Sequence, residues 1–491
     1  MKELFFKYFK YVVLIAILYM PIFGHLDTLP IRIWDESRLA VNAYEMLNDE
    51  NHLVTHFEGK PDMWNTKPPF MIWCQVVCMK LLGVNELAVR LPSAIAAFLT
   101  CMALLIFSQW YLKNFWFGFI AIFVLISTQG YISLHGTRTG DYDALLTLFT
   151  TLSGLFFFAF CETKKYRALY CFFICTALAV LTKSVTGLLF LPAILIYGII
   201  QKQFIPLLKN KHFYFGLLSF LTLVVGYYLL REANNTGYIA AVWENELGGR
   251  YLSVIENHQH DFWFYLKNLI DFRLSTTWYV LIPFGCITGV LVIKNKKVNR
   301  ITLFSFLMVI IFFIIISTAQ TKLEWYDIPL YPFLSIIVAV FIHYVFQLLY
   351  NVKWFRQKLS VNIIPYLFLF LIGIVPYKKV LDKTYKPKEY FWRKDFYEIG
   401  YYLKDAIKGK YHLNKQCLLY EGYHAHNLFY LNILNDKGIE ISFKDWKKLE
   451  KEDVVIASQK NVKQYVEEHY NHQVLNSNGT IITYLIHGNK Q

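Results

Sequence analysis

The chain has 491 residues, of which 56% are hydrophobic and 18% aromatic, and its formal net charge is +14. Only 17% of its residues are charged, whereas an ordinary soluble protein carries about 25%. This composition excludes an ordinary soluble domain and favours a polytopic α-helical membrane protein. The arginine and aromatic interleaving of a nucleic-acid surface is not evident, so we expect no nucleic-acid partner. Basic residues in short loops instead set membrane orientation and contact lipid headgroups.

Apolar runs along the chain predict about 11 membrane-spanning helices, with an uncertainty of two in the count. The runs are residues 8–26, 92–111, 115–134, 143–161, 168–183, 185–200, 212–230, 276–293, 301–318, 327–348 and 361–377. The run 69–83 is apolar but short and opens with two prolines, which indicates a re-entrant or interfacial helix. No small-residue cleavage site follows the basic N-terminus, so the first run is interpreted as an uncleaved span.

The distribution of basic residues predicts how the spans are oriented. If the N-terminus is cytosolic, the inside loops are short and basic, as at 164–167, 202–211 and 294–300, which agrees with the positive-inside rule. The opposite face then receives the long loops 27–91 and 231–275. We therefore expect a protein integral to the plasma (inner) membrane, with these loops on the extracytoplasmic side.

The sequence stops being membrane-like near Tyr385. Residues 1–380 are predicted to form the transmembrane domain and residues 381–491 a soluble extracytoplasmic α/β domain. Short strand-like runs in this second part are Cys417–Tyr420, Asp453–Ala457 and Thr480–Ile486, and helical patterns are Phe396–Lys408 and Val462–His469. We see no catalytic motif in it, and His424 and His426 are interpreted as surface residues.

An acidic pair, Asp35 and Glu36, follows the first span, with Arg38 three residues after Asp35. Charged groups beside hydrocarbon are costly and usually have a function. One carboxylate could face a reaction while the other braces it. The alternative is that Asp35 caps the helix 37–47.

A second acidic loop lies on the same face by parity of the spans. It contains Arg138, Asp141 and Asp143, and Asp143 opens the next apolar run. A single carboxylate at this place is either a helix cap or a site. Two carboxylate loops on one face, each beside an arginine, favour a site.

Several cations complete the pattern on the outer face: Lys67, Arg90, Arg138, Lys183, Arg250 and Lys322. Their positions run against the orientation rule, and an anionic ligand at the membrane surface explains them most simply. Lys183 and Lys322 lie at span ends, where snorkelling is the competing interpretation. A phosphate ligand is favoured for Lys67 and Lys322.

Acids and cations at a lipid surface are suited to group transfer from a lipid phosphate. A carboxylate can take a proton from an acceptor hydroxyl, and cations can stabilise the departing phosphate. No Gly-rich or Walker sequence is visible, so a lipid donor fits better than a nucleotide donor.

The chain resembles the GT-C class of polyprenyl-phosphate-sugar-dependent glycosyltransferases, namely the protein O-mannosyltransferases and, more closely, the lipid A aminoarabinose transferases. The matching pieces occur in family order: Asp35-Glu36-Ser37-Arg38, Lys67-Pro68-Pro69-Phe70, Arg90-Leu91-Pro92-Ser93, Arg138 with Asp143-Ala144-Leu145-Leu146, Leu181-Thr182-Lys183, and Lys322-Leu323-Glu324-Trp325-Tyr326. The tail after Tyr385 is similar to the outer-face α/β domain of the aminoarabinose branch.

This resemblance implies an inverting transfer of one sugar from undecaprenyl phosphate to a lipid A, glycan or protein acceptor. By motif, Asp35 is the catalytic base and Asp143 the second acid of the active site. The residues implied in substrate binding are Glu36, Arg38, Lys67, Arg90, Arg138, Asp141, Lys183, Arg250, Lys322 and Tyr326. Lys67 and Lys322 are implied to hold the donor phosphate.

The sequence departs from the resemblance before Lys67. Asn65 and Thr66 stand where many relatives have an acid, and in the aminoarabinose branch that acid helps bind a metal. No cofactor is therefore assigned, and a divalent metal is left open. His258 and His260 are the alternative ligands, or they are loop residues that bind substrate.

Two other functions remain as alternatives. A transporter or flippase of a lipid-linked sugar would show repeated halves and polar residues in the middle of its spans, and neither is clear here. A structural or interaction protein would use the outer domain as its working part, and the ordered motifs of the membrane half argue against it.

Overall fold

A computed structural model describes residues 2–49, 51–248, 258–352 and 362–490 of the chain. Its α-helices are α1 Lys2–Phe23, α2 Asp35–Asp49, α3 Phe70–Leu82, α4 Glu86–Phe107, α5 Phe115–Ile126, α6 Asp143–Thr163, α7 Tyr166–Lys183, α8 Leu191–Ile200, α9 Phe204–Leu208, α10 Lys211–Asn234, α11 Tyr238–Val242, α12 Phe264–Asn268, α13 Thr276–Ile287, α14 Lys296–Thr318, α15 Tyr331–Asn351, α16 Ile364–Thr384, α17 Lys394–Ile407, α18 Ala425–Asp436 and α19 Lys460–His469. Short 3₁₀ or π segments are Ser108–Leu112, Ser184–Leu188, Trp243–Gly248, Leu269–Arg273, Thr288–Val292, Glu324–Leu330 and Phe391–Arg393.

Seven of the described helices are long and apolar enough to cross a membrane: α4, α6, α7, α10, α14, α15 and α16, some of them counted with their 3₁₀ or π extensions. The other four predicted runs form shorter apolar helices, Tyr8–Phe23, Phe115–Ile126, Leu191–Ile200 and Thr276–Val292. The predicted fold class, a polytopic helical membrane protein with a C-terminal α/β region, is confirmed.

Asparagines begin several of these helices. The side chains of Asn85, Asn114, Asn210 and Asn295 accept hydrogen bonds from backbone N–H groups in the first turns of α4, α5, α10 and α14. The first N–H groups of a helix have no intrahelical partner, so such a side chain satisfies one of them. The residues at which these four helices begin are thus set by the local sequence.

Burial differs strongly between the long helices. In its apolar window α6 is 83% buried inside the protein, whereas α10 is only 17% buried. A helix that is apolar all round and buried lies at the centre of a bundle, and an exposed one faces lipid. The centre of the helical part is therefore α6, and the residue that opens it is Asp143.

The C-terminal part contains a five-stranded sheet built from β3 Gln416–Leu419, β4 Ile441–Lys444, β5 Val454–Ala457, β6 Tyr470–Asn478 and β7 Ile481–Asn489. The strand order is β4-β3-β5-β7-β6, with β3 parallel to β4 and β5, and β7 antiparallel to β5 and β6. A separate two-stranded ribbon, β1 His56–Phe57 with β2 Lys60–Pro61, lies in the first long loop. The three predicted strands and two predicted helices of this part are present, whereas β4, β6 and α18 were not predicted. His426 is buried, which corrects its interpretation as a surface residue.

The α/β part packs on the loop that precedes α2. The hydroxyl of Tyr430 accepts a hydrogen bond from the Ile31 amide at 2.9 Å and donates one to Glu86 at 2.8 Å. The Lys404 ammonium lies 3.1 Å from the same Glu86 carboxylate. These contacts are mostly buried, so they set the path of the chain just before Asp35.

Candidate functional site

A small polar pocket lies where the first loop, the loop before α6 and the end of α7 meet. It is lined by Asp35, Lys67, Asp141, Tyr142, Asp143, Lys183, Leu323, Trp325 and Tyr326. Six of the residues predicted from sequence are therefore together: Asp35, Lys67, Asp141, Asp143, Lys183 and Tyr326. They come from segments nearly 300 positions apart, and the fold brings them to one place.

Asp35 begins α2 and is 46% exposed at its side chain. Its Oδ2 lies 3.8 Å from Nδ1 of His135, and the same nitrogen lies 3.2 Å from the Asp141 carboxylate. His135 also stacks flat on Trp325, with ring centroids 3.8 Å apart. The imidazole thus sits between two carboxylates with its plane fixed by the indole.

Two features of the surroundings of His135 shift the pKa of its imidazole in opposite directions. Burial lowers the pKa of the imidazole, but the neighbouring Asp141 and Asp35 carboxylates outweigh burial, so the pKa is raised above its ordinary value. Two carboxylates beside one imidazole favour its charged form. Asp141 is held in turn by the Thr139 hydroxyl, which donates to it at 2.6 Å.

The same three side chains are the group among the described residues that could hold a metal ion. One ligand atom from each of Asp35, His135 and Asp141 lies within 4.8 Å of the others. The Asp141 Oδ1 atom is buried and has no hydrogen-bond partner among the described residues, which fits an oxygen ligand for a divalent cation. A cation here would require a neutral His135, because only the unprotonated ring is a ligand.

Asp143 is paired with Lys183. Both carboxylate oxygens accept from the ammonium, at 2.6 and 2.7 Å, and both side chains are almost fully buried. The lysine nitrogen also lies 5.1 Å from the centre of the Tyr326 ring. A buried charge needs a partner of opposite sign, and each of these two residues supplies it for the other.

Lys67 faces the pocket from the first long loop. Its ammonium lies 3.0 Å from the buried Glu246 carboxylate and 5.6 Å from the centre of the Tyr142 ring. The Tyr142 hydroxyl donates to Asn65 at 2.9 Å. The asparagine that departs from the family pattern is thus a hydrogen-bond partner of a pocket residue.

The loop that carries Lys67 is held by a polar network around Asp62. Arg38 donates two hydrogen bonds to this carboxylate, at 2.7 and 2.6 Å, and Asn42 donates a third at 3.0 Å. The backbone amides of Trp64 and Asn65 donate to it as well. Arg38 therefore acts on this loop and not on the pocket directly.

Glu36 and Arg90 form a fully buried pair behind Asp35. The guanidinium donates to both carboxylate oxygens, at 2.7 and 2.9 Å. Glu36 also accepts from the backbone amides of Arg32 and Gly140. Burial would raise the pKa of Glu36, but Arg90 and these amides hold it below its ordinary value.

Arg138 lies against the end of the first span. It donates to the backbone oxygens of Pro21, Ile22 and Gly24, where the negative end of the helix dipole favours a cation. The loops around the pocket are thus held in place by Glu36, Arg90 and Arg138, which do not line the pocket.

Lys322 is adjacent to the pocket, but its ammonium points elsewhere. It donates to the backbone oxygens of Ala319 and His260, at 2.6 and 2.9 Å. His258 accepts from the Lys322 amide through its backbone oxygen, and the His260 ring stacks on Phe264. Neither histidine belongs to the possible metal group. Arg250 lies outside the described residues.

An apolar groove lies between α3, α4 and α6 and has a volume of about 640 Å³. It begins at Phe70, three residues after Lys67, and includes Leu145, Leu148 and Leu152 along α6. Its lining is formed almost entirely by hydrocarbon and aromatic groups. One end of this groove is therefore close in sequence to two pocket residues, Lys67 and Asp143.

Sequence reasoning did not single out His135, Tyr142, Trp325 or Glu246 as site residues. His135 and Trp34 adopt left-handed backbone conformations, with φ of 60° and 72°, and such strain in non-glycine residues often accompanies functional loops. His135 and Tyr142 belong to the second acidic loop, and this position is the feature of the sequence that could have identified them as site residues. Glu246 carried no comparable signal.

Comparison with known proteins gives a family match for part of the chain. Residues 66–228 match the family model described as dolichyl-phosphate-mannose-protein mannosyltransferase. This stretch contains Lys67, Asp143 and Lys183. It covers the centre of the helical part, including α6 and α7.

Among curated relatives, a protein of unassigned function from Aquifex aeolicus (strain VF5) is 24% identical over 314 residues, which are 63% of this chain and 60% of that protein. An undecaprenyl phosphate-alpha-4-amino-4-deoxy-L-arabinose arabinosyl transferase from Aeromonas hydrophila is 26% identical over 332 residues, 64% of this chain and 56% of the relative. The chain thus spans 56–60% of the length of these relatives.

The fold is shared over nearly the whole chain with a solved structure. ArnT from Cupriavidus metallidurans, crystallised bound to undecaprenyl phosphate, superposes with a TM-score of 0.73 at 14% identity and covers 97% of this chain and 98% of that one. At this identity the likeness concerns the fold. Taken with the partial family match and the relatives, it confirms the resemblance to the GT-C glycosyltransferases that is seen in the sequence motifs.

Proposed function

We propose that the protein is an inverting glycosyltransferase that moves a sugar from an undecaprenyl-phosphate-linked donor to a lipid A, glycan or protein acceptor at the outer face of the membrane. The observation that carries this proposal is the single pocket that holds Asp35, Lys67 and Asp143. The arabinosyl transferase relative and the lipid-bound ArnT structure support a lipid-phosphate donor.

Asp35 is the catalytic base in this proposal. Its side chain is half exposed, so an acceptor hydroxyl can reach it. Asp143 is buried and directs both oxygens to Lys183, so it positions the lysine. The acceptor oxygen attacks the anomeric carbon and its proton passes to Asp35. The bond from this carbon to the phosphate oxygen breaks, and undecaprenyl phosphate leaves with the electron pair.

Lys67 binds the donor phosphate in this proposal. Its partner, the buried Glu246, comes from the segment Trp243–Gly248, which does not line the pocket. The incoming donor phosphate, a diester with one negative charge, competes with that carboxylate for the ammonium. The negative charge on the phosphate grows as its bond to the sugar breaks, so Lys67 stabilises the leaving group more than the donor. Lys322 remains a second candidate that must leave its backbone acceptors to reach the donor.

The apolar groove takes the prenyl chain of the donor. Its apolar lining suits a polyisoprenoid, and its lining residues Phe70 and Leu145 lie close in sequence to Lys67 and Asp143. If a divalent cation is bound, Asp35, His135 and Asp141 would hold it, and it would supply positive charge beside the donor phosphate.

Reconstituted full-length protein, incubated with lipid-linked sugar donors and cell-envelope extract, tests the proposal by mass spectrometry of the products. We expect a sugar-sized mass increase on an acceptor and release of undecaprenyl phosphate. The Asp35→Asn variant should lose this transfer, whereas Asp49→Asn at the other end of α2 should keep it. Movement of the lipid-linked sugar across the bilayer without any transfer would instead establish the flippase alternative.

A further inference from the structure

Nine residues lie between α16 and α17, and together with Lys394, the first residue of α17, they form a segment that exposes large aromatic side chains. This connecting segment, Tyr385–Lys394, reads Tyr-Lys-Pro-Lys-Glu-Tyr-Phe-Trp-Arg-Lys. Phe391 is 90% exposed and Trp392 is 74% exposed, and Trp392 stacks on Tyr390 at 4.8 Å. Grouped apolar rings of this size are rarely left in water without a partner surface.

The position of the segment identifies that surface. It follows α16 directly, and the apolar part of this helix ends at Tyr377, so that Lys378, Lys379 and Lys383 in its last turns mark the level of the headgroups. The Tyr385 ring packs edge-on against His25, two residues beyond the end of α1, at 5.3 Å. Two apolar helices therefore end at the same level, and the segment begins there.

The charge of the region complements an anionic surface. Between 378 and 394 the basic residues are Lys378, Lys379, Lys383, Lys386, Lys388, Arg393 and Lys394, against the acids Asp382 and Glu389. Glu389 is already bound by Arg32 through two hydrogen bonds of 2.7 and 2.6 Å. The exposed charge is thus strongly positive, beside rings of the kind that settle at headgroup level.

We propose that the connecting segment is a lipid-binding strap, with Phe391 and Trp392 inserted among the headgroups of an anionic membrane and the basic residues on their phosphates. This surface is separate from the pocket, and the proposal does not depend on the transferase reaction. The occupant is the lipid surface itself and not a second protein, because the rings and cations start where a membrane helix ends.

The strap is connected to the loops around the pocket through one ion pair and two hydrogen bonds. Its Glu389 binds the Arg32 guanidinium, and the Arg32 amide donates to Glu36 at 2.7 Å. Glu36 accepts from the Gly140 amide, next to Asp141. Lipid contact by the strap therefore supports the loop that precedes Asp35 and the loop that precedes α6.

Fluorescence of the full chain in nanodiscs tests the insertion. The chain has 12 tryptophans, so the emission of Trp392 is taken as the difference between the wild-type protein and Trp392→Phe. In discs of equal parts phosphatidylglycerol and phosphatidylcholine, we expect brominated lipids to quench the emission of Trp392. Aqueous iodide should leave most of that emission unquenched. The matched control is Trp446→Phe, within the α/β part. The emission of Trp446 should be quenched by iodide and not by brominated lipids.

The charge is tested by native mass spectrometry of purified protein. A variant with Lys386→Gln, Lys388→Gln, Arg393→Gln and Lys394→Gln should retain about tenfold less phosphatidylglycerol, because each cation near an anionic surface adds to lipid affinity. Retention equal to that of the wild type would overturn the proposal. Quenching of Trp392 by iodide but not by brominated lipid would also overturn it, as would burial of Trp392 in a dimer of the chain.

Discussion

Both carboxylate oxygens of Asp143 accept hydrogen bonds from the ammonium of Lys183, at 2.6 and 2.7 Å, inside the same pocket in which Asp35 stays half exposed. Two carboxylates thus share one pocket in different environments. Asp143 is neutralised by a lysine, and Asp35 is exposed to molecules that enter the pocket. We propose that this difference separates a positioning acid, Asp143, from a base, Asp35, and substitution of each residue tests it.

We expect Asp143→Asn to destabilise the protein. It leaves the Lys183 ammonium buried without its counterion, which typically costs about 3–5 kcal/mol. Thermal unfolding in detergent should show a clear drop in melting temperature. The double variant Asp143→Asn with Lys183→Met should recover most of the loss, because it removes both charges. Equal melting temperatures for the single and double variants would contradict a mutually dependent pair.

Asp35→Asn should behave differently. Because Asp35 is half exposed, we expect its melting temperature to stay near the wild-type value. Transfer should fall by about 10²–10⁴-fold, the usual contribution of a general base. The measurement is product formation under single-turnover conditions. Near-normal turnover by this variant would assign proton removal to another group.

Glu246→Gln tests the competition for Lys67. The variant removes a negative charge from the place proposed for a phosphate, so we expect undecaprenyl phosphate to bind about tenfold more tightly, equivalent to about 1.4 kcal/mol. Binding is measured by competition with a labelled lipid phosphate in detergent micelles. Lys67→Met is the matched comparison and should bind more weakly. Weaker binding by Glu246→Gln would mean that the carboxylate holds Lys67 in its productive position.

Asp62 predicts a pH dependence of stability in the first long loop. Burial would raise the pKa of this carboxyl, but the hydrogen bonds and charge of Arg38 hold it below its ordinary value. A lowered folded pKa means that the stabilisation is present above about pH 4, the unfolded value, and is lost as the pH falls through the folded value. Asp62→Asn should thus unfold at a lower temperature than wild type at pH 7. That difference should shrink in acid, and a gap that is constant with pH would contradict this origin.

Tyr430→Phe tests how the α/β part is fastened. The variant leaves the Ile31 amide without its acceptor and Glu86 without one of its donors, a loss of about 1–3 kcal/mol for buried groups. We expect faster proteolytic release of the α/β part and a modest fall in transfer, since Ile31 lies four residues before Asp35. Tyr465→Phe, within the α/β part, is the control. Unchanged proteolysis of Tyr430→Phe would show that other contacts hold the α/β part against the helical part.

The local features of this protein were predictable from its sequence. A membrane crossing requires a continuous apolar run, so the seven long helices and four shorter ones match the predicted runs. In the α/β part, β5 and β7 are apolar and were predicted. The edge strand β6 is mostly exposed and polar, and β4 alternates apolar and polar residues over only four positions, so neither forms the continuous apolar run by which β5 was predicted. The roles of the individual site residues stay predictions.

By itself the sequence determined that Asp35, Lys67 and Asp143 belong to one face of a membrane protein, since the order of spans and loops decides which segments share a side. Only the tertiary structure decided which charges pair: Lys183 with Asp143, Lys67 with Glu246, and Arg90 with Glu36. These partners are 40 to 179 positions apart in the chain. Their choice follows from how the helices pack and which charges become buried together, and no spacing along the sequence records it.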